Sequence, residues 1–142
     1  MGVRHTSLEI RTAGHGDVHD LTPALASWLA GEGAAEGLVT VFVPGSTAAV
    51  TTIEFEDGVL RDLEELLERL APSGKPYHHD RRWGDGNGFS HLRAALLGPS
   101  VTVPVSGGRP ALGTWQQVVL VECDNRPRER RVLMTFVGEA GA

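Results

Sequence analysis

Three runs in the last third of the chain decide its fold: SVTVPVSGG (residues 100–108), TWQQVVLVECD (114–124) and RRVLMTFVG (130–138). Each is rich in β-branched and aromatic residues, and each reads as a strand, with Trp115 and Gln116 at the beginning of the second. Gly107-Gly108-Arg109-Pro110 and Asn125-Arg126-Pro127 separate them. Turns that short favour antiparallel neighbours.

Working outward, residues 4–12 alternate, with Thr6, Leu8 and Ile10 on one face and His5, Ser7, Glu9 and Arg11 on the other. This predicts a half-buried strand. AGHGDVHD (13–20) reads as a polar turn, after which Thr22 as N-cap and Pro23 at the first helical position open a helix carrying Leu21, Leu25, Trp28 and Leu29. GLVTVFV (37–43) reads as a strand buried on both faces, and AVTTIEFE (49–56) as another after the Pro44-Gly45-Ser46 turn. Apolar positions 59, 60, 63, 66, 67 and 70 form one stripe of an amphipathic helix. A shorter helix is expected over His91–Leu97, ended by Gly98-Pro99. The order predicts an α+β domain with helices packed on one face of an antiparallel sheet.

The chain has 142 residues, 41% apolar and 22% charged, which suits a single domain over 1–142 with one sizeable core. A formal net charge of -5 argues against nucleic acid or an anionic membrane as partner. Neither a signal peptide nor a membrane span is expected, and the lone Cys123, set in VVLVECD, reads as a buried small hydrophobe. These features point to the cytoplasm.

The segment WGDGNGFSHLRAALLG (83–98) interleaves Gly84, Gly86 and Gly88 with Asp85 and Asn87. Glycine lets backbone approach a ligand closely. Tyr77-His78-His79-Asp80 lies just upstream, so three of the six histidines and two aspartates fall within a short span. This polar loop is the first candidate site. Asn87 suits either a left-handed turn position or a hydrogen bond to substrate. His91 suits either the N-cap of the short helix or a ligand. The amides and hydroxyls of Ser46 and Thr47, after a Pro-Gly turn, suit either an ordinary turn or a phosphate nest. Arg81, Arg82, Arg93, Arg130 and Arg131 offer positive charge for such a ligand, or are simply solvated.

GDGNGxxHL (84–92), LLGxSxxxPV (96–105) and LGTWQQ (112–117) together resemble the YjbQ-like family, whose members are often labelled secondary thiamine-phosphate synthases. The resemblance runs from LEIRT to the final VGE. It implies a compact α+β fold assembled as a homotrimer, with the site near subunit contacts. Many members carry His-Thr-Ser/Thr-Ala where this chain has Gly45-Ser46-Thr47-Ala48, and Asn-Glu where it has Ile53-Glu54. A histidine of the family pattern is therefore missing.

His79 and His91 are the histidines that match. With Asp85, and with Glu54 or Asp62 on another wall, they compose a mixed nitrogen and oxygen set suited to a divalent ion, zinc or magnesium. The resemblance implies a transferase joining a pyrimidine diphosphate to a thiazole phosphate, with His79 and Asp85 holding the ion and Asn87 and Gln116 holding the pyrimidine. Trp115 is either core or the frame of an aromatic ligand. Two further readings stand beside it: a trimeric noncatalytic module for a metal ion or phosphorylated metabolite, and a metal-dependent hydrolase with Glu54 as base.

Overall fold

A computed structural model describes residues 1–141 as eight strands and four helices. The strands form two antiparallel sheets. Strands β1 (Gly2–Thr12), β8 (Arg128–Ala140), β3 (Ala34–Phe42), β5 (Ser100–Ser106) and β6 (Arg109–Pro110) form the first in that order, and β2 (Val18–Asp20), β7 (Gln117–Glu122) and β4 (Ala48–Ile53) the second. The three C-terminal runs are all strands, but they divide between the sheets: β5 and β8 flank β3, while β7 is the centre of the second sheet.

The main core fills the space between the sheets. Val39 and Val41 of β3, Val103 and Val105 of β5, and Val132, Met134 and Phe136 of β8 meet Ala48 and Val50 of β4 and Val118 and Leu120 of β7. Helix α1 (Thr22–Gly31) adds Leu25 and Leu29 to the same core. The second sheet is covered on its other face as well, by Ala94 and Leu97 of α4 (Gly88–Leu97) and Leu63 of α2 (Asp57–Leu70) against Ala49, Val119, Val121 and Cys123. Full burial of a valine or leucine contributes about 1.5–3 kcal/mol relative to exposure. The small central sheet, buried on both sides, is thus where most of that energy converges.

The fold class is α+β as expected, with several local corrections. The run 37–43 is buried on one face only: Val39, Val41 and Val43 point inward, whereas Leu38 and Phe42 are 51% and 38% exposed. Its apolar outward residues belong to an uncovered sheet face, so continuous hydrophobicity does not mark two covered faces here. Segment 13–20 contains the short strand β2 as well as a turn. Thr22 is not the N-cap of α1; Leu21 stands there, the Asp20 carboxylate accepts from the Thr22 amide at 2.9 Å, and the Thr22 hydroxyl accepts from the Val118 amide at 2.9 Å. The stripe of α2 is covered at Leu67, while Leu66 and Leu70 are exposed. Trp115 lies in a turn before β7, 75% exposed, because Gln116 and Gln117 bond back into residues 113–114.

Gly37 of β3 and Gly138 of β8 face one another across the large sheet, with the Phe136 ring against both. A Cβ on Gly138 would lie 2.2 Å from the Glu36 carbonyl oxygen. No rotamer relieves a clash with backbone. Gly138→Ala is expected to destabilise the fold by about 1–3 kcal/mol, the usual cost of overpacking, measured by urea denaturation; an unchanged midpoint would show that the strands part more easily than this contact implies.

Candidate metal centre

The polar segment folds largely as helix. Residues His78–Trp83 form α3, and Asp80 staples it to α4: one carboxylate oxygen accepts from the Tyr77 amide at 3.2 Å and the other from the Gly88 amide at 2.8 Å. Gly84 (φ +73°) ends α3 in the left-handed conformation. Gly88 serves close packing instead, since a Cβ there would lie 2.7 Å from Tyr77 Cβ. Asn87 occupies the N-cap position of α4 with φ -111°, so the left-handed reading of Asn87 is wrong. His91 sits within α4 and is not its cap.

This hairpin of helices brings ligand atoms of His79, Asp80 and Asp85 within 4.8 Å of one another, and the His91 ring lies against that of His79. The rings of His79 and His91 have centroids 4.5 Å apart, and His79 Nδ1 lies 3.5 Å from an oxygen of Asp85 and 3.5 Å from an oxygen of Asp80. Nδ1 is shielded from solvent and has no hydrogen-bond partner among the described residues. Two ligand atoms bound at about 2.0–2.2 Å to one tetrahedral ion lie about 3.4 Å apart. The spacing of the nitrogen from each carboxylate therefore suits a shared cation better than a direct hydrogen bond. Asp80, counted in the polar segment but not named as a ligand, belongs to this cluster. Burial opposes its ionisation, but the Gly88 and Tyr77 amides and His79 outweigh that and hold its carboxyl below the usual range.

Asn87 is buried between two carboxylates. With its nitrogen donating to Asp124 at 3.3 Å, its carbonyl oxygen faces the Asp85 carboxylate; turned over, it donates to Asp85 Oδ1 at 3.1 Å. In the first orientation two acceptors confront each other, and the turned-over amide relieves this by donating to the Asp85 carboxylate. Asn125 completes the tie by donating to the Asp85 carbonyl at 2.9 Å.

Behind this loop lies a buried charged network that motif reading missed. Asp124 accepts from Arg128 at 2.7 Å, Thr47 at 3.0 Å and the Asn125 amide at 2.8 Å, while Glu122 accepts from Thr12 at 2.6 Å and from Arg130 at 2.8 and 2.6 Å. Burial alone would raise the Asp124 pKa, but Arg128, Asn125, Asn87 and Thr47 pull it below the ordinary carboxylate value. Asp124 therefore stabilises the fold above that range, and the contribution is lost as pH falls through its lowered pKa. Thr47 is a member of this network rather than part of an open turn; Ser46 remains exposed. Arg93 is likewise not solvated: it is 1% exposed, donates to Glu64, Glu68 and the Ala71 carbonyl, and clamps α4 onto α2.

The remaining candidates lie elsewhere. Glu54 lines a separate cleft of about 340 Å³ with Asp20, Phe55 and Trp115. Asp62 is exposed on α2. Gln116 bonds to the Gly113 amide and the Thr52 hydroxyl.

The model of the family described as "UPF0047 protein YjbQ-like" matches residues 6–139. This chain belongs to the YjbQ-like UPF0047 family. A UPF0047 protein of Archaeoglobus fulgidus is 42% identical over 127 residues, covering 89% of this chain and 96% of the relative. One from Mycobacterium tuberculosis is 44% identical over 118 residues, covering 83% and 89%. Among solved structures, a hypothetical protein from Aeropyrum pernix K1 superposes with a TM-score of 0.87 at 36% identity, covering 96% of this chain and 99% of its own. The chain thus has a YjbQ-like fold, with Gly45 at φ +136° in the loop before β4.

Cys123 is buried, and burial first, then the Glu122 charge, pushes its thiol up to about 12. Such a thiol is not a nucleophile near neutral pH. Ellman's reagent at pH 8 is expected to label Cys123 only after denaturation; rapid labelling of the native protein would contradict that environment.

Proposed function

We propose that this YjbQ-like protein binds a divalent cation at His79, Asp80 and Asp85, with His91 as a further ligand, and uses it to hold a small phosphorylated metabolite. The observation that carries the reading is the unpartnered, shielded Nδ1 of His79 at 3.5 Å from two carboxylates. Zinc suits the imidazole nitrogens, and magnesium suits the carboxylates and a phosphate ligand. Bound there, the ion would neutralise phosphate charge. His79 and His91 would set its position, while the Asp80 staple and the Asn125 tie would keep Asp85 facing them.

The thiamine-phosphate synthase reading is weaker on geometry. Asn87 and Gln116, its pyrimidine ligands, engage different partners: Asn87 is buried against Asp124, and Gln116 is bound to the turn before β7 and to Thr52. The hydrolase reading needs Glu54 as base, but Glu54 lines a cleft that includes none of His79, Asp85 and His91. Binding is therefore favoured over either catalytic assignment. Among the described residues no helix is long and apolar enough to cross a membrane, and a single unreactive cysteine suits the reducing cytoplasm.

The assembly we propose is a homotrimer through the outer face of the large sheet. Val3, Val137, Leu38 and Pro104 are register partners in one row across β1, β8, β3 and β5, and the first three are 55%, 43% and 51% exposed. An apolar row of this kind marks an interface. Leu38→Asp is expected to reduce the mass measured by light scattering from three chains to one; a wild-type protein that is already monomeric would refute the assembly.

Metal analysis and calorimetric titration with zinc and magnesium test the site. One ion per chain is expected, with His79→Ala and His91→Ala each weakening it on the order of tenfold or more through loss of a ligand. Their melting temperatures should stay close to wild type, because neither side chain packs in a core cluster. Equal affinity in wild type and both variants would overturn the reading, as would failure of the wild type to bind.

A further inference from the structure

The Arg130 side chain is 8% exposed, and two of its three nitrogens are committed. Nε donates to one Glu122 oxygen at 2.8 Å, and Nη2 donates to the other at 2.6 Å and to the Thr47 hydroxyl at 2.8 Å. Among the described residues, Nη1 has no hydrogen-bond acceptor. It is not sealed in the interior either, since the shielded polar side-chain atoms without a partner are His79 Nδ1 and Ser90 Oγ. Nη1 reaches the surface at Gly45. A Cβ there would lie 3.1 Å from it, and Gly45 and Ser46 are both exposed.

The loop at that opening carries uncommitted donors. The amides of Gly45 and Ser46 and the Ser46 hydroxyl form no hydrogen bond among the described residues. The backbone conformation at Gly45, φ +136°, is one that other residues adopt only under strain, so the gap over Nη1 is built into the loop. Glu122 fixes the guanidinium in place, which removes the ordering cost an exposed arginine incurs on binding.

We propose that Arg130 Nη1, with the Gly45 and Ser46 amides and the Ser46 hydroxyl, binds the phosphate group of a small metabolite. This rests on the functional reading above in taking the ligand to be phosphorylated, and it is tested without metal so that the two can fail separately. Glu122 and Asp124 offset Arg128 and Arg130 in charge, so the site favours an anion through directed donors rather than through a broad positive field.

The probe is inorganic phosphate, titrated by calorimetry into chelator-treated protein at constant ionic strength, with acetate as the comparison anion. Saturable phosphate binding is expected, with acetate weaker. Ser46→Asp is expected to lower phosphate affinity on the order of tenfold or more, by placing a carboxylate beside the guanidinium. The exposed Ser46 makes no contact the fold needs, so this variant keeps the test valid even if Arg130→Lys, which cannot hold Glu122 with the same fork, fails to fold. Absence of phosphate binding by the wild type, equal binding of acetate, or undiminished binding by Ser46→Asp would each overturn the assignment.

Discussion

Two acids at the end of β7 and two arginines at the start of β8 hold this molecule together where its sheets meet. Glu122 and Asp124 are buried at 1% and 0% exposure, and each is paired with an arginine, Arg130 and Arg128 respectively. Such charges are costly to desolvate, and removing one partner leaves the other stranded, which typically costs about 3–5 kcal/mol. The same four residues bond to Thr12 on β1, Thr47 before β4 and Asn87 before α4. One network thereby ties both sheets to the loop that presents Asp85.

The candidate metal centre depends on that tie. Its loop has little apolar anchorage of its own between Trp83, which is 67% exposed, and Phe89, which is buried. Asp124 accepts from the Asn125 amide and the Asn125 side chain donates to the Asp85 carbonyl, so the loop is secured by polar bonds to the β7–β8 turn. Asp80 secures the other side. The consequence is a site whose geometry is set by hydrogen bonds, with His79 and His91 on two separate short helices brought ring to ring.

Periodicity made much of this legible from sequence. The β-branched runs named the strands, alternation in 4–12 gave β1 its buried face, and the density of histidine, aspartate and glycine located the loop that brings His79, Asp85 and His91 together. What failed did so for identifiable reasons. The run 37–43 is apolar on both faces, although only one is covered within the chain. Trp115 was drawn into a strand by its β propensity, but the glutamine contacts that follow make a turn. Arg93 and Arg130 stayed open between ligand charge and solvated surface because a single sequence does not show which distant carboxylate will meet a guanidinium in the core. Glu54 and Asp62 were grouped with the histidines through side-chain chemistry alone, and the topology separates Glu54 into another cleft.

Asp124 holds the Gly84–Gly88 loop through Asn125 and, with it, the position of Asp85. Amide hydrogen exchange in Asp124→Asn tests this most directly, since that change removes the charge while keeping the side chain's size. Exchange in residues 84–88 should accelerate strongly while the amides of β3, β7 and β8 remain protected. Unchanged exchange in that loop would contradict the account.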